Sequence, residues 1–248
     1  MDDTGFERYS RHINLDQVGF DGQLALEHSH ALLIGAGGLG CPAALYLAAA
    51  GVGQITLVDD DHVELSNLQR QIGHHTDAIG QPKAESLQRA ALAINPTVAV
   101  AAVTGRADAD NLPALVSAAD IVLDGCDNLS TRQAVNAACA QHNTTLVTGS
   151  AVRFEGQIAV LKPGQPGSAC YRCLYPDTLG EQENCQSAGV VSPLVGILGS
   201  YMALEAIKQL IGLGEASLGR LWLFDALAHH WQPLQITRRD DCPVCGAA

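Results

Sequence analysis

Ala31-Leu32-Leu33-Ile34-Gly35-Ala36-Gly37-Gly38-Leu39-Gly40 is the stretch that decides the fold. The four apolar residues form a short run of the buried-strand type. Gly35, Gly37 and Gly40 follow in G-x-G-x-x-G spacing, and an Ala/Leu-rich helical segment runs on to Ala50. Strand, glycine turn and helix in that order are the context the motif needs. The glycines permit a tight turn and close backbone approach. The helix start offers unpaired N–H groups and a positive dipole end to a phosphate. Gly51 and Gly53 stop the helix. Ile55-Thr56-Leu57-Val58 is the next strand and ends in Asp59-Asp60-Asp61. The unit reads as a right-handed βαβ. Asp59 stands 19 residues past Gly40, where a carboxylate binds a ribose hydroxyl pair.

The alternation continues outward. Lys83 to Ile94 reads as a helix, with Pro82 at its start and Asn95-Pro96 at its end. Val98 to Val103, Ile121 to Asp124 and Thr145 to Thr148 read as strands. Leu112 to Ser117 and Thr131 to Gln141 read as helices. Such alternation predicts an α/β fold with a mostly parallel sheet covered on both faces. Upstream, the first thirty residues read as helical with interruptions at Gly19 and Gly22. Past Ala151 the pattern changes. Arg153 to Leu161 alternates like an antiparallel strand, Pro163 to Gly167 is a loop, and Asp177 to Ser187 is a polar segment. Val190 to Ile211 is a long helix, and Leu221 to Phe224 and Trp231 to Thr237 are strands.

Composition excludes several function classes. The 248 residues are 47% hydrophobic and 16% charged, enough apolar material for a sizeable core and too little charge for a disordered chain. The net charge of −12 argues against nucleic acid and anionic membranes as partners. Aromatics at 4% make a poor base-stacking platform. The longest apolar stretch, Val190 to Leu204, carries Ser192, Pro193 and Ser200 and runs into Glu205 and Lys208, too short to span a bilayer. Met1-Asp2-Asp3-Thr4 is acidic where a secretory leader is basic. The expectation is a soluble, cytoplasmic protein.

The residues after Asp59 narrow the chemistry. On the glycine loop alone, a nicotinamide dehydrogenase is the default reading. Asp60, Asp61, Glu64, Ser66, Asn67, Gln69, Arg70 and Gln71 form a dense polar stretch, and Lys83 heads the following helix. Cations beside a phosphate site neutralise a triphosphate and the transition state of nucleotidyl transfer. Asp127-Asn128 lies just past the fourth strand, on the same carboxyl edge of the sheet. Ligands bind along that edge, and an Asp there is placed to hold Mg²⁺.

Of the eight cysteines, Cys170/Cys173 and Cys242/Cys245 form two Cys-x-x-Cys pairs. In a cytosolic chain such pairs read as metal before disulfide. Four thiolates suit a closed tetrahedral Zn²⁺ site; the alternatives are a redox dithiol or buried thiols. The 68 residues between Cys173 and Cys242 require the fold to return the C-terminus to Cys170, so the zinc would staple the chain end. Cys185, in Glu181-Gln182-Glu183-Asn184-Cys185-Gln186, reads either as an exposed nucleophile or as an incidental thiol. Cys41, Cys126 and Cys139 read as small core residues. The pairs His74-His75 and His229-His230 lack metal-ligand spacing and read as surface or core residues.

Taken together, the glycine loop, Ser66-Asn67-Leu68-Gln69-Arg70-Gln71, Gln81-Pro82-Lys83, Asp124-Gly125-Cys126-Asp127-Asn128 and Cys170-Tyr171-Arg172-Cys173 resemble the MoeB/ThiF family. These are ATP-dependent adenylyltransferases of sulfur-carrier proteins, related to the ubiquitin-activating enzymes. The resemblance runs from Arg8-Tyr9-Ser10-Arg11 to Cys245. It implies a Rossmann-like, mostly parallel sheet with helices on both faces, a C-terminal antiparallel elaboration and zinc knuckles. It implies one domain over 1–248, with a nucleotide-binding part over 1–150 and a carrier-binding and zinc part over 151–248. Gly38 would lie under the phosphates of ATP and Asp59 would hold the ribose. Ser66, Asn67, Leu68, Gln69 and Arg70 would sit around the triphosphate, with Arg70 able to reach across from a second subunit. Lys83 would contact phosphate, and Asp127 would hold magnesium beside Asn128. Arg70, Lys83 and Asp127 would carry catalysis, with Cys185 as the candidate thiol.

The implied reaction is attack of a carrier's C-terminal glycine carboxylate on the α-phosphate, giving an acyl-adenylate and pyrophosphate. The partner would be a MoaD-like carrier of molybdopterin synthesis or a ThiS-like carrier of thiamine synthesis. No rhodanese-like segment follows Cys245, so the sulfur donor is expected to be a separate protein. A homodimer is expected, with Gly196, Gly199 and Ala203 permitting close packing or serving the core. A nicotinamide oxidoreductase would explain the glycine loop and Asp59, but not Arg70, Lys83 or the knuckles. A tRNA-modifying dehydratase relative shares the ATP motifs and is disfavoured by the acidic charge and by both knuckles.

Overall fold

The computed structural model of the chain describes residues 1–176 and 188–246. Three helices open it: α1 (Asp3–Arg8), α2 (Ser10–Ile13) and α3 (Gly19–Glu27). Then come β1 (His30–Ile34), α4 (Gly40–Ala50), β2 (Gln54–Val58), α5 (Lys83–Ile94) and β3 (Ala99–Val103). α6 (Leu112–Ser117), β4 (Ile121–Asp124), α7 (Leu129–His142), β5 (Thr145–Val152) and β6 (Glu155–Leu161) follow. α8 (Tyr171–Leu174), α9 (Ser192–Leu210), β7 (Arg220–Asp225) and β8 (His230–Gln235) follow, and short 3₁₀ turns lie at Leu65–Asn67, Thr76–Ala78 and Glu215–Ser217.

The strands form one eight-stranded sheet in the order β3-β2-β1-β4-β5-β6-β7-β8. The pairings from β3 to β5 are parallel and those from β5 to β8 antiparallel. The continuous apolar run of β1 is possible because helices cover both faces. Successive strand residues face opposite ways, so Leu33 enters the core with Leu47, Ile55 and Leu198. Leu32 and Ile34 enter the other core with Val122, Val135 and Leu146. The chain runs outward in opposite directions from β1 and β4, so the loops leaving these neighbours part and leave a crevice at the carboxyl edge of the sheet.

Several expected boundaries shift. The early breaks fall at Tyr9 and after Ile13, whereas Gly19 opens α3 at φ +60° and Gly22 lies inside that helix. β5 runs on to Val152 because Val152 pairs with Glu155 across a tight hairpin, in which Arg153 takes φ +53°. α7 starts at Leu129, since the Asn128 side chain caps it by accepting from the Thr131 N–H. Gly199 and Ala203 serve this chain's own core. A Cβ on Gly199 would lie 2.5 Å from Pro42 Cγ and overlap the Leu39 carbonyl, and Ala203 is buried. Gly196 faces open space. The polar segment 177–187, with Cys185, lies outside the described residues. Among the described residues, no helix is long and apolar enough to cross a membrane.

Candidate active site

The glycine loop leaves β1 at Gly35, whose φ of +96° is a left-handed conformation that a side chain would strain. A Cβ there would also press on the Gly125–Cys126 backbone at 3.1–3.2 Å, so the loops after β1 and β4 touch. At Gly40 a Cβ would collide with the Gly35 carbonyl. Neither backbone segment can yield without undoing the turn. Gly40→Ala is therefore expected to lower stability by about 3 kcal/mol, read as an earlier urea midpoint at unchanged slope. α4 then begins with no side chain capping its N-terminus; its Cys41 N–H is taken by the Gly37 carbonyl at 2.9 Å, and Pro42 brings no N–H.

Asp59 ends β2 and braces this loop. Its Oδ2 accepts from the Ala36 N–H at 2.7 Å and its Oδ1 from the Asp61 N–H at 2.9 Å. Burial pushes its pKa above the ordinary carboxylate value, while the two N–H donors and Lys83 pull it back. Lys83, at the head of α5, is nearly buried with its Nζ 2.7 Å from Asp61 Oδ2. The segment between them folds on itself. Glu64 N–H donates to Asn67 Oδ1 at 3.1 Å, and Arg70 Nη1 donates to the Ser66 carbonyl at 3.3 Å. Gln71 is buried, and its Oε1 has no hydrogen-bond partner among the described residues.

These groups line one cleft of about 1280 Å³. Of the residues expected from sequence, Gly35, Gly37, Gly38, Asp59, Ser66, Asn67, Arg70, Lys83, Asp127 and Asn128 meet on its wall. Gly40, Leu68 and Gln69 do not. Gly40 is needed by the turn behind the wall, and the Gln69 amide turns away to the Val190 carbonyl at 3.4 Å. Arg70 lines the cleft of its own chain. Asn128 lines the cleft while its Oδ1 caps α7.

The cleft has parts the motifs did not reveal. Arg132, buried in the cleft wall, donates to Thr148 Oγ1 at 2.9 Å, to the Gly149 carbonyl at 2.7 Å and to the Cys126 carbonyl. Burial disfavours its charge, but the Asp124 carboxylate more than compensates and its pKa is raised. It thereby fastens the loop bearing Asp127 to β5. Further along, Tyr175 OH donates to Gln157 Oε1 at 2.6 Å and Gln157 Nε2 to Ser150 Oγ at 3.0 Å, forming a neutral polar floor over β5 and β6. Gln71 stands inside the Ser66–Gln71 motif and also lines the cleft, a role its position in the motif does not reveal. Arg132, Gln157 and Tyr175 carry no local signal, because separate elements bring them together. Cys126, expected in the core, is half-buried in the cleft wall.

The four knuckle cysteines converge. Their Sγ atoms all lie within 4.8 Å of one another. The Cys170–Cys242, Cys173–Cys245 and Cys170–Cys173 separations are 3.6, 3.3 and 4.0 Å. A disulfide needs about 2.05 Å. Four sulfurs at about 2.3 Å from a tetrahedral zinc stand about 3.8 Å apart, so the donor set fits zinc. The Arg239 N–H points at Cys173 Sγ at 3.4 Å. At Cys242, desolvation opposes the thiolate, but the N–H groups of Cys245 and Val244 together with the Cys170 and Cys245 thiols outweigh it and bring its pKa down. Among the described residues, the other cluster able to hold a cation is Asp59, Asp60 and Asp61.

The family model described as the ThiF family matches residues 9–244. The sulfur carrier protein ThiS adenylyltransferase of Escherichia coli K12 is 50% identical over 248 residues, covering 100% of this chain and 98% of its own. The molybdopterin-synthase adenylyltransferase of the same organism is 45% identical over 247 residues, covering 99% and 98%. The SAMP-activating enzyme E1 of Haloferax volcanii is 44% identical over 248 residues, covering 99% and 91%. Among solved structures, E. coli MccB with ATP superposes with a TM-score of 0.83 at 24% identity, over 96% of this chain and 73% of that one, a likeness of fold. With the family model matched over residues 9–244 and relatives 45–50% identical along nearly their whole length, this chain belongs to the ThiF family.

Proposed function

We propose that this protein adenylates the C-terminal glycine of a small ubiquitin-like sulfur-carrier protein, ThiS-like or MoaD-like. The observation that carries the reading is the meeting of the glycine loop, Asp59, Arg70, Lys83 and Asp127 around one cleft, in a chain half identical to a ThiS adenylyltransferase. In this reading Asp59 takes the ribose of ATP, and the glycine loop and α4 N-terminus take the phosphates. Lys83 and Arg70 neutralise the charge that grows on the leaving pyrophosphate. Asp127 is the residue that would hold magnesium, which would draw charge from the phosphate oxygens. The neutral floor of Ser150, Gln157 and Tyr175 receives the carrier's extended tail. One carrier carboxylate oxygen bonds to the α-phosphorus as the bond to the β-phosphate bridge oxygen breaks, and pyrophosphate departs with that electron pair. The nucleophile arrives already ionised, so the enzyme contributes position and charge, with no base of its own.

The division of labour follows the sheet. We assign nucleotide binding to 1–150 and carrier binding and zinc to 151–248, in a homodimer served by a separate sulfur donor. The test is ATP–pyrophosphate exchange with ThiS-like and MoaD-like carriers in parallel. Exchange that depends on one carrier is the expected result. Tight NADH binding with no ATP binding would sink the reading.

A further inference from the structure

His74 belongs to neither the surface nor a plain apolar core. It is 5% exposed and sits directly behind the glycine loop. Its Nε2 lies 2.9 Å from the Ala36 carbonyl oxygen and its Nδ1 3.0 Å from Ser86 Oγ. A carbonyl can only accept, so Nε2 carries the proton. Nδ1 of the neutral ring is then an acceptor, and the Ser86 hydroxyl donates to it. Burial, the largest influence on this imidazole, lowers its pKa and so favours the neutral ring. The thiol of Cys41, fully buried and with its own pKa pushed up to about 12 by desolvation, adds a weak donor to the same carbonyl at 3.3 Å.

These contacts join three parts of the phosphate site. Ala36 is pinned at both ends, its N–H by Asp59 and its carbonyl by His74. Ser86 lies one turn along α5 from Lys83. The His74 N–H donates to the Gln71 carbonyl at 3.1 Å, which ties the ring to the segment holding Arg70. We propose that His74 is a positioning residue of the nucleotide site, a neutral Nε2–H imidazole that locks the glycine loop to the helix bearing Lys83. The inference rests on the nucleotide reading of this cleft. It reaches no substrate atom; it holds the Ala36 peptide so that the N–H groups after it face the phosphates.

His74→Phe keeps ring bulk and loses both nitrogens. His74→Gln keeps a terminal N–H where Nε2 stood. His74→Phe is expected to raise the KM for ATP about tenfold, the worth of one buried hydrogen bond, with the carrier's KM unmoved. Amide hydrogen exchange across residues 36–41 should quicken with it, and His74→Gln should restore both. Ser86→Ala, a smaller change, should move both in the same direction by less. In the wild type at about pH 8, above the ordinary imidazole range, ¹⁵N shifts should report the neutral Nε2–H tautomer. An Nδ1–H tautomer, unchanged loop exchange in His74→Phe, or a His74→Gln as impaired as His74→Phe would overturn the proposal. The tautomer and the loop exchange are read without nucleotide. A wild type that fails to bind ATP therefore counts against adenylation, while those two measurements still decide the clamp.

Discussion

Asp127→Ala is expected to cut ATP–pyrophosphate exchange by at least about 10²–10³-fold, the scale of losing one preorganised electrostatic group at a reacting phosphate, with the melting temperature unchanged. Asp127 lies on the exposed lip of the cleft, past the end of β4, and is not part of either apolar core. The loop's shape is held by other groups. Asp124 Oδ1 accepts from the Cys126 N–H at 3.0 Å, Arg132 grips the Cys126 carbonyl, and Asn128 caps α7. Truncating Asp127 therefore removes its charge and leaves these three contacts in place. Asp127→Asn separates charge from geometry. It keeps an oxygen in place but cannot neutralise a cation, and it is expected to stay almost as poor as alanine. Raising magnesium should restore a fraction of activity if Asp127 is the metal residue. Normal exchange in the alanine variant would remove Asp127 from the site.

The second large effect is expected at the chain end. Cys245→Ser should release the bound metal and lower stability by about 4 kcal/mol, a fall in melting temperature of about 10 °C for a chain of this size. The reason is how little else holds the tail. β8 is the outer strand of the sheet, and most of its residues are exposed. Beyond it, Ile236 and Cys242 are the buried residues among those described. The attachment of the tail to α8 thus passes largely through sulfur, and metal-binding free energy becomes folding free energy. Tyr171, next to Cys170, lines the cleft and has its ring 5.9 Å from the Arg132 guanidinium. Loosening should therefore reach the part of the cleft proposed for the carrier before the part proposed for the nucleotide. Metal analysis should find one zinc per wild-type chain. A zinc-free wild type melting at the same temperature would refute the staple.

What the sequence determined by itself was local. The run 31–34, the glycine spacing and the Ala-rich helix specify one βαβ unit, because strand burial, turn conformation and helix start are all read within a few residues. The alternation to Thr148 then dictates a parallel sheet, since its strands are apolar on both faces. The two Cys-x-x-Cys pairs show each knuckle in their spacing, and the fold brings the four sulfurs together. Tertiary structure decided what depends on distance between chain-remote groups. It sent Gly40 and Gln69 behind the wall and gave Gly199 to the packing of α9 on α4. It set Arg132 beneath the loop of Asp127, and it turned His74 from a ring read as surface or core into the point where Ala36 and Ser86 meet. A buried polar side chain is defined by the partners that satisfy it. Those partners stand 38 and 12 residues from His74 along the chain, and only the folded sheet brings them within hydrogen-bond reach.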